Sequence, residues 1–158
     1  MNTIIRTSIL FSICWILSCK VHPTILEKTT PFLWENATVY FLMTDRFNDG
    51  DASNNYIHTT ESAPASYRGY MGGDLKGITA KIKEGYFTDL GVNAIWFTPV
   101  VEQIKGSVDE GTGNSFGFHG YWTRDWTALD PTFGTEADLD ELVKLAHDRK
   151  IRVLIDVV

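Results

Sequence analysis

Apolar positions along this chain change their spacing several times, and each change predicts an element. Residues 37–44 (ATVYFLMT) are rich in β-branched and aromatic side chains and predict a strand. Ile78, Ile82, Tyr86 and Leu90 then recur at helical spacing, with Gly91 as a left-handed stop. Residues 93–98 (NAIWFT) predict a second strand, ended by Pro99. Further on, Thr135 with Asp138 three residues later forms an Asp variant of the capping box. Leu139, Leu142, Val143 and Ala146 give the helix it opens one apolar stripe, while Lys144, His147, Arg149 and Lys150 suit its negative end. Residues 151–158 (IRVLIDVV) are apolar at nearly every position after Arg152, which predicts a third strand inside a parallel sheet covered by helices.

The order is strand, long loop, helix, strand, long loop, helix, strand, which opens a β/α architecture. Both long loops, residues 45–76 and 100–134, follow strands, whereas the helix-to-strand connections are a few residues long. In a (β/α) barrel the post-strand loops share the face that carries activity. The fold class expected from this order is therefore α/β.

Residues 1–18 read as a targeting segment. Arg6 supplies a positive n-region, and residues 7–17 form an apolar run too short to span a membrane. The run ends in Ile16-Leu17-Ser18-Cys19, which resembles a bacterial lipoprotein signal with Cys19 lipidated and tethering the protein to a membrane. Leu17 fits that pattern imperfectly, and an ordinary secretory signal is the alternative. Either way export is expected, as an outer-membrane or cell-surface lipoprotein or else to the periplasm or medium. Residues 19–36 lack periodicity, carry Pro23 and Pro31, and read as a tether or lead-in to residues 37–158.

Cys14 and Cys19 are the only cysteines, so residues 20–158 offer no disulfide and no thiolate metal site. A net charge of −6 without any Lys/Arg cluster argues against nucleic acid as a partner. Aromatic residues make up 13%, and they gather in loops as well as in core-like segments, which suits a carbohydrate binder, although stable exported domains are aromatic-rich as well.

Two loop segments carry candidate chemistry. Residues 117–122 (GFHGYW) combine rings that can stack on sugar faces, an imidazole that can bond a hydroxyl, and glycines that admit a ligand to the backbone. A tight turn with core-capping aromatics is the plainer alternative. In the first loop, Asp49, Asp51, Asn54 and Asn55 place four oxygen-bearing side chains within seven residues, as a hard cation such as Ca²⁺ requires. It is not an EF-hand, because the sixth position from Asp49 is Asn54 rather than Gly and the twelfth is Thr60 rather than Glu. Further ligands would have to come from Gly72-Gly73-Asp74, and a turn held by Asx hydrogen bonds is the alternative. Asp45 and Arg46 read as a structural ion pair, Asp125 and Asp130 as organisers of the second loop, and His58 and His147 as solvated surface residues.

Taken in order, VYFLMTDRFNDGDASNN, GYMGGDLKGI, LGVNAIWFTPV, GFHGYWTRDW, LDPTFGT and IRVLIDVV resemble the opening of the α-amylase family, glycoside hydrolase family thirteen. The resemblance spans residues 39–158 and is nearest to the α-amylase and cyclodextrin glucanotransferase branch. It implies the N-terminal portion of a (β/α)8 TIM barrel, truncated after the third strand, in an exported enzyme acting on α-1,4-glucans (starch and maltooligosaccharides) by a retaining mechanism. It implies a Ca²⁺ site at Asp49, Asp51, Asn54, Asn55, the Gly72 carbonyl and Asp74. It also implies substrate contacts from Tyr121, His119 and Trp122, with Asp156 supporting the active-site hydrogen-bond network. No residue here matches the family's nucleophile or general acid, which come from later strands, so this fragment alone is expected to be inactive. A non-catalytic glycan-binding lipoprotein is the alternative from another functional class.

Overall fold

The computed structural model describes residues 31–59 and 63–157. The signal segment, Cys19, most of the lead-in and Thr60 lie outside the described residues. After a 3-10 turn at Trp34–Asn36 come β1 (Val39–Leu42), α1 (Thr44–Phe47), α2 (Leu75–Glu84), α3 (Tyr86–Asp89) and β2 (Ala94–Phe97). They are followed by β3 (Val101–Gln103), β4 (Val108–Asp109), β5 (Asn114–Ser115), β6 (Thr123–Leu129), α4 (Glu136–Asp148) and β7 (Arg152–Ile155).

The frame is a parallel sheet in the order β1-β2-β7, with Tyr40, Ile95 and Val153 in register, and Leu42, Phe97 and Ile155 in register two residues on. Alternation sends Tyr40, Leu42, Ile95, Phe97 and Val153 to one face, where they pack against Ile78, Ile82, Phe87, Leu142 and Ala146. Phe41 and Trp96 lie on the other face, edge to face with ring centroids 4.9 Å apart and both exposed. Among the described residues β7 pairs with β2, and its Ile155 is 43% exposed.

Local chemistry sets the helix boundaries. Asp74 caps α2 by accepting from the Gly77 amide at 2.6 Å, so the helix begins earlier than its apolar spacing indicates. The helix expected to run to Leu90 divides at Gly85, whose φ of 88° lies in the left-handed region, and α3 restarts after it. Thr135 and Asp138 form both halves of the expected capping box on α4.

The second loop is more ordered than its sequence suggests. It holds two small antiparallel pairs, β3 with β6 and β4 with β5. The β3–β6 pairing shifts register twice between Val101 and Gln103, which breaks the alternation that would have marked β6 in the sequence. Asp130, fully buried, anchors this loop by accepting from the Gln103 amide (2.8 Å), Lys105 Nζ (2.6 Å) and the Thr132 amide (2.9 Å). The two loops are also joined to each other, through Ala65 N to Asn114 O and Phe116 N to Arg68 O.

Candidate active site

The sheet fixes where the site lies. Its strands are parallel, so the segments after β1, β2 and β7 all leave from one end. Thr44 donates its amide to Thr98 Oγ1 at 3.1 Å, and Asp156 donates its amide to Phe97 O at 3.2 Å. At this end the hydroxyl of Tyr121, from the second loop, donates to Oδ2 of Asp156 at 2.6 Å. That bond holds the phenol protonated and pushes its pKa up to about 12.

His119 stacks on Tyr121, with centroids 5.8 Å apart and planes at 21°, and meets the Trp122 ring edge-on at 5.0 Å. Its Nδ1 accepts the Tyr121 amide at 2.9 Å, so in the neutral imidazole the proton sits on Nε2. Burial lowers the His119 pKa, with Glu110 pulling it up and Arg46 pushing it down, which favours the neutral ring. The arrangement presents one half-exposed aromatic face, one N–H donor and one carboxylate along a common rim. Groups of this kind can bond hydroxyls and stack on an apolar ring face.

Backbone geometry makes the loop possible. Gly120 has a φ of 87° and lies hard against the carbonyl of Pro99, so any side chain there would collide with backbone. Gln103 is fully buried and holds the loop from beneath, accepting the Trp122 amide at 2.8 Å and donating to Val101 O at 2.8 Å. Sequence reasoning missed Gln103, because a single glutamine in a polar loop carries no local signal of burial.

The oxygen-rich loop is assembled around Asp74. This fully buried carboxylate accepts from Gly50 N (3.1 Å), Asp51 N (2.9 Å) and Asn54 Nδ2 (3.3 Å) besides its helix-capping bond. Asn55 Nδ2 donates to Asp49 at 2.8 Å, and Gly72, with a φ of 92°, packs directly on the Asn55 amide. The Oδ1 atoms of Asn54 and Asn55 are both buried without a hydrogen-bond partner, a costly state for amide oxygens. The Asp51 carboxylate accepts from Lys76 Nζ at 2.5 Å and from Ser53 N at 3.0 Å. Among the described residues no three His, Cys, Asp or Glu gather as a metal-binding group. The loop's other donors are amide oxygens and backbone.

Two remaining expectations divide. His147 is exposed. His58 is not a solvated residue: its Nε2 accepts the Tyr70 amide at 3.0 Å, and its ring packs on Tyr56 and Phe116. Tyr56 is a near neighbour, whereas Tyr70 and Phe116 reach it from further along the chain. Asp45 and Arg46 do pair, with Asp45 buried.

The family model described as "Alpha amylase, catalytic domain" matches residues 41–158. The chain belongs to the α-amylase family. It is 48% identical over 136 residues to the periplasmic α-amylase of Escherichia coli strain K12, covering 84% of this chain and 20% of that protein. It is 40% identical over 120 residues to an α-amylase of Niallia circulans, covering 75% of this chain and 23% of the relative. The chain therefore spans about a fifth of the length of these curated relatives. Among solved structures, the acarbose complex of a Geobacillus thermoleovorans α-amylase superposes with a TM-score of 0.62 at 39% identity, over 80% of this chain and 23% of that one. A γ-cyclodextrin glucanotransferase from alkalophilic Bacillus clarkii gives 0.68 at 36% identity, over 77% and 18%. The α-amylase catalytic domain is a (β/α)8 barrel, and the described residues form a mixed α/β part of that architecture without a closed barrel.

Proposed function

We propose that these residues form the N-terminal part of the active site of an exported enzyme that acts on α-1,4-glucans by a retaining double displacement. The observation that carries the proposal is the 2.6 Å bond from Tyr121 to Asp156, which joins the second loop to the end of β7 beside the stacked His119. In this account Tyr121 offers its ring to a glucose face, His119 Nε2–H donates to a sugar hydroxyl, Trp122 walls the loop, and Asp156 holds the phenol in place. A retaining mechanism needs two carboxyl groups about 5–5.5 Å apart, one as nucleophile and one as acid/base. Neither is assigned to a residue described here. The substrate class is supported by the α-amylase relatives and by the acarbose complex of one neighbour.

Ca²⁺ fits the first loop. Asn54 Oδ1, Asn55 Oδ1, Asp49, Asp51 and Asp74 would hold it with the Gly72 carbonyl. When bound, the ion supplies charge neutralisation and rigidity to the loop that packs on the α2 N-terminus. Export is supported by the leader-like residues 1–18 and by the periplasmic relative, with Cys19 as the proposed lipid attachment point.

The test is Tyr121→Ala in the full-length protein, assayed by kcat/KM on maltooligosaccharides. Losing the ring should cost about 1–3 kcal/mol of transition-state stabilisation. Unchanged kinetics would remove Tyr121 from the site.

A further inference from the structure

Arg46 does more than neutralise Asp45. Its Nη1 donates to Gly69 O at 3.0 Å and its Nη2 to Tyr67 O at 2.8 Å, so the donor edge of the guanidinium grips the first loop. Its flat face lies on the second loop, with Cζ 3.9 Å from the centroid of Phe118. Phe118 in turn meets the His119 ring edge-on at 5.2 Å. The grip also bears on a strained segment, since Tyr67 adopts a φ of 63°, which L residues seldom visit. Asp45 accepts from Arg46 Nη1 and also accepts the amides of Met71 and Gly72.

We propose that Arg46 is a positioning residue for His119, fixing the angle at which the imidazole faces the sugar; this rests on the α-glucan function proposed above. Only a planar fork can bond two carbonyls at its edge while stacking a ring on its face, so lysine cannot substitute. A merely scaffolding arginine would affect stability without acting through His119.

A double-mutant cycle in the full-length protein separates the two roles. Arg46→Lys should lower kcat/KM on maltooligosaccharides about 10- to 100-fold, as expected for a misplaced contact group. In a His119→Ala background the same substitution should have little further effect. Losses that multiply in full, or an Arg46→Lys variant with unchanged kinetics, would overturn the proposal. Should Arg46→Lys fail to fold by circular dichroism, Phe118→Leu removes the stacking surface instead and should show the same dependence on His119. Ligand-free NMR provides a readout that needs no activity. The His119 ring resonances should move in Arg46→Lys and stay in place in Arg124→Lys, which alters a separate surface pair; no movement would overturn the proposal. Movement without any glucan cleavage by the wild type would keep the positioning role and sink the substrate assignment.

Discussion

Removing the Asp74 carboxylate tests how the first loop is built. Asp74→Ala deletes the α2 cap, worth about 1 kcal/mol. It also strips the acceptor from Gly50 N and Asp51 N, at 3.1 and 2.9 Å. Hydrogen bonds to a charged group contribute about 1.5–3 kcal/mol each. These two donors are partly buried and can rebind water, so about 1 kcal/mol apiece is the fitting figure. The Asn54 contact at 3.3 Å adds little. The expected destabilisation is about 3 kcal/mol in urea unfolding of the full-length protein, followed through the transition that includes this segment. Asp74→Asn keeps one oxygen for the cap and should lose about half as much. Both should be measured with chelator present, so that metal binding does not enter. A loss below about 1 kcal/mol for Asp74→Ala would show that the loop does not depend on this carboxylate.

Two further outcomes are expected. Chelation should lower the melting temperature of the full-length protein, and Ca²⁺ rather than Mg²⁺ should restore it, because a flexible set of oxygens suits the larger ion; no response to chelator would leave the loop as a turn. Thr135→Ala should cost about 1 kcal/mol through loss of the α4 cap. The cap also has a pH signature: Thr135 Oγ1, at 2.6 Å, holds the Asp138 carboxyl below its ordinary range. A depressed carboxyl stabilises the fold above its unfolded value of about 4 and stops doing so as pH falls through the native value. The gap between wild type and Thr135→Ala should therefore hold above about pH 4 and narrow as pH falls below it, and a constant gap would detach Asp138 from the cap.

The elements most legible in the sequence are those fixed by local rules. The parallel strands announced themselves through dense β-branched and aromatic runs, and α4 through a capping box joined to one apolar stripe. What escaped depends on contacts between distant residues. Gly85 and Gly91 both adopt positive φ, and nothing local says which one breaks the helix. β6 (TRDWTAL) reads as loop because its partner β3 is short and irregular in register. Gln103 is buried under the Trp122 amide, and His58 takes the Tyr70 amide and the Phe116 ring, partners set by the tertiary fold rather than by local pattern. The site shows the same division. The rings of residues 117–122 stood out as a motif, but the clamp of Arg46 on Phe118 exists only once both long loops meet at one end of the sheet.

A crystal structure of the full-length protein with a slowly cleaved maltooligosaccharide analogue would test the central claim most directly. A glucose ring should lie over the Tyr121 ring at about 4–5 Å, with His119 Nε2 within hydrogen-bond reach of a hydroxyl and Tyr121 still bonded to Asp156. Oligosaccharide bound elsewhere, with the Tyr121 face left to solvent, would contradict it.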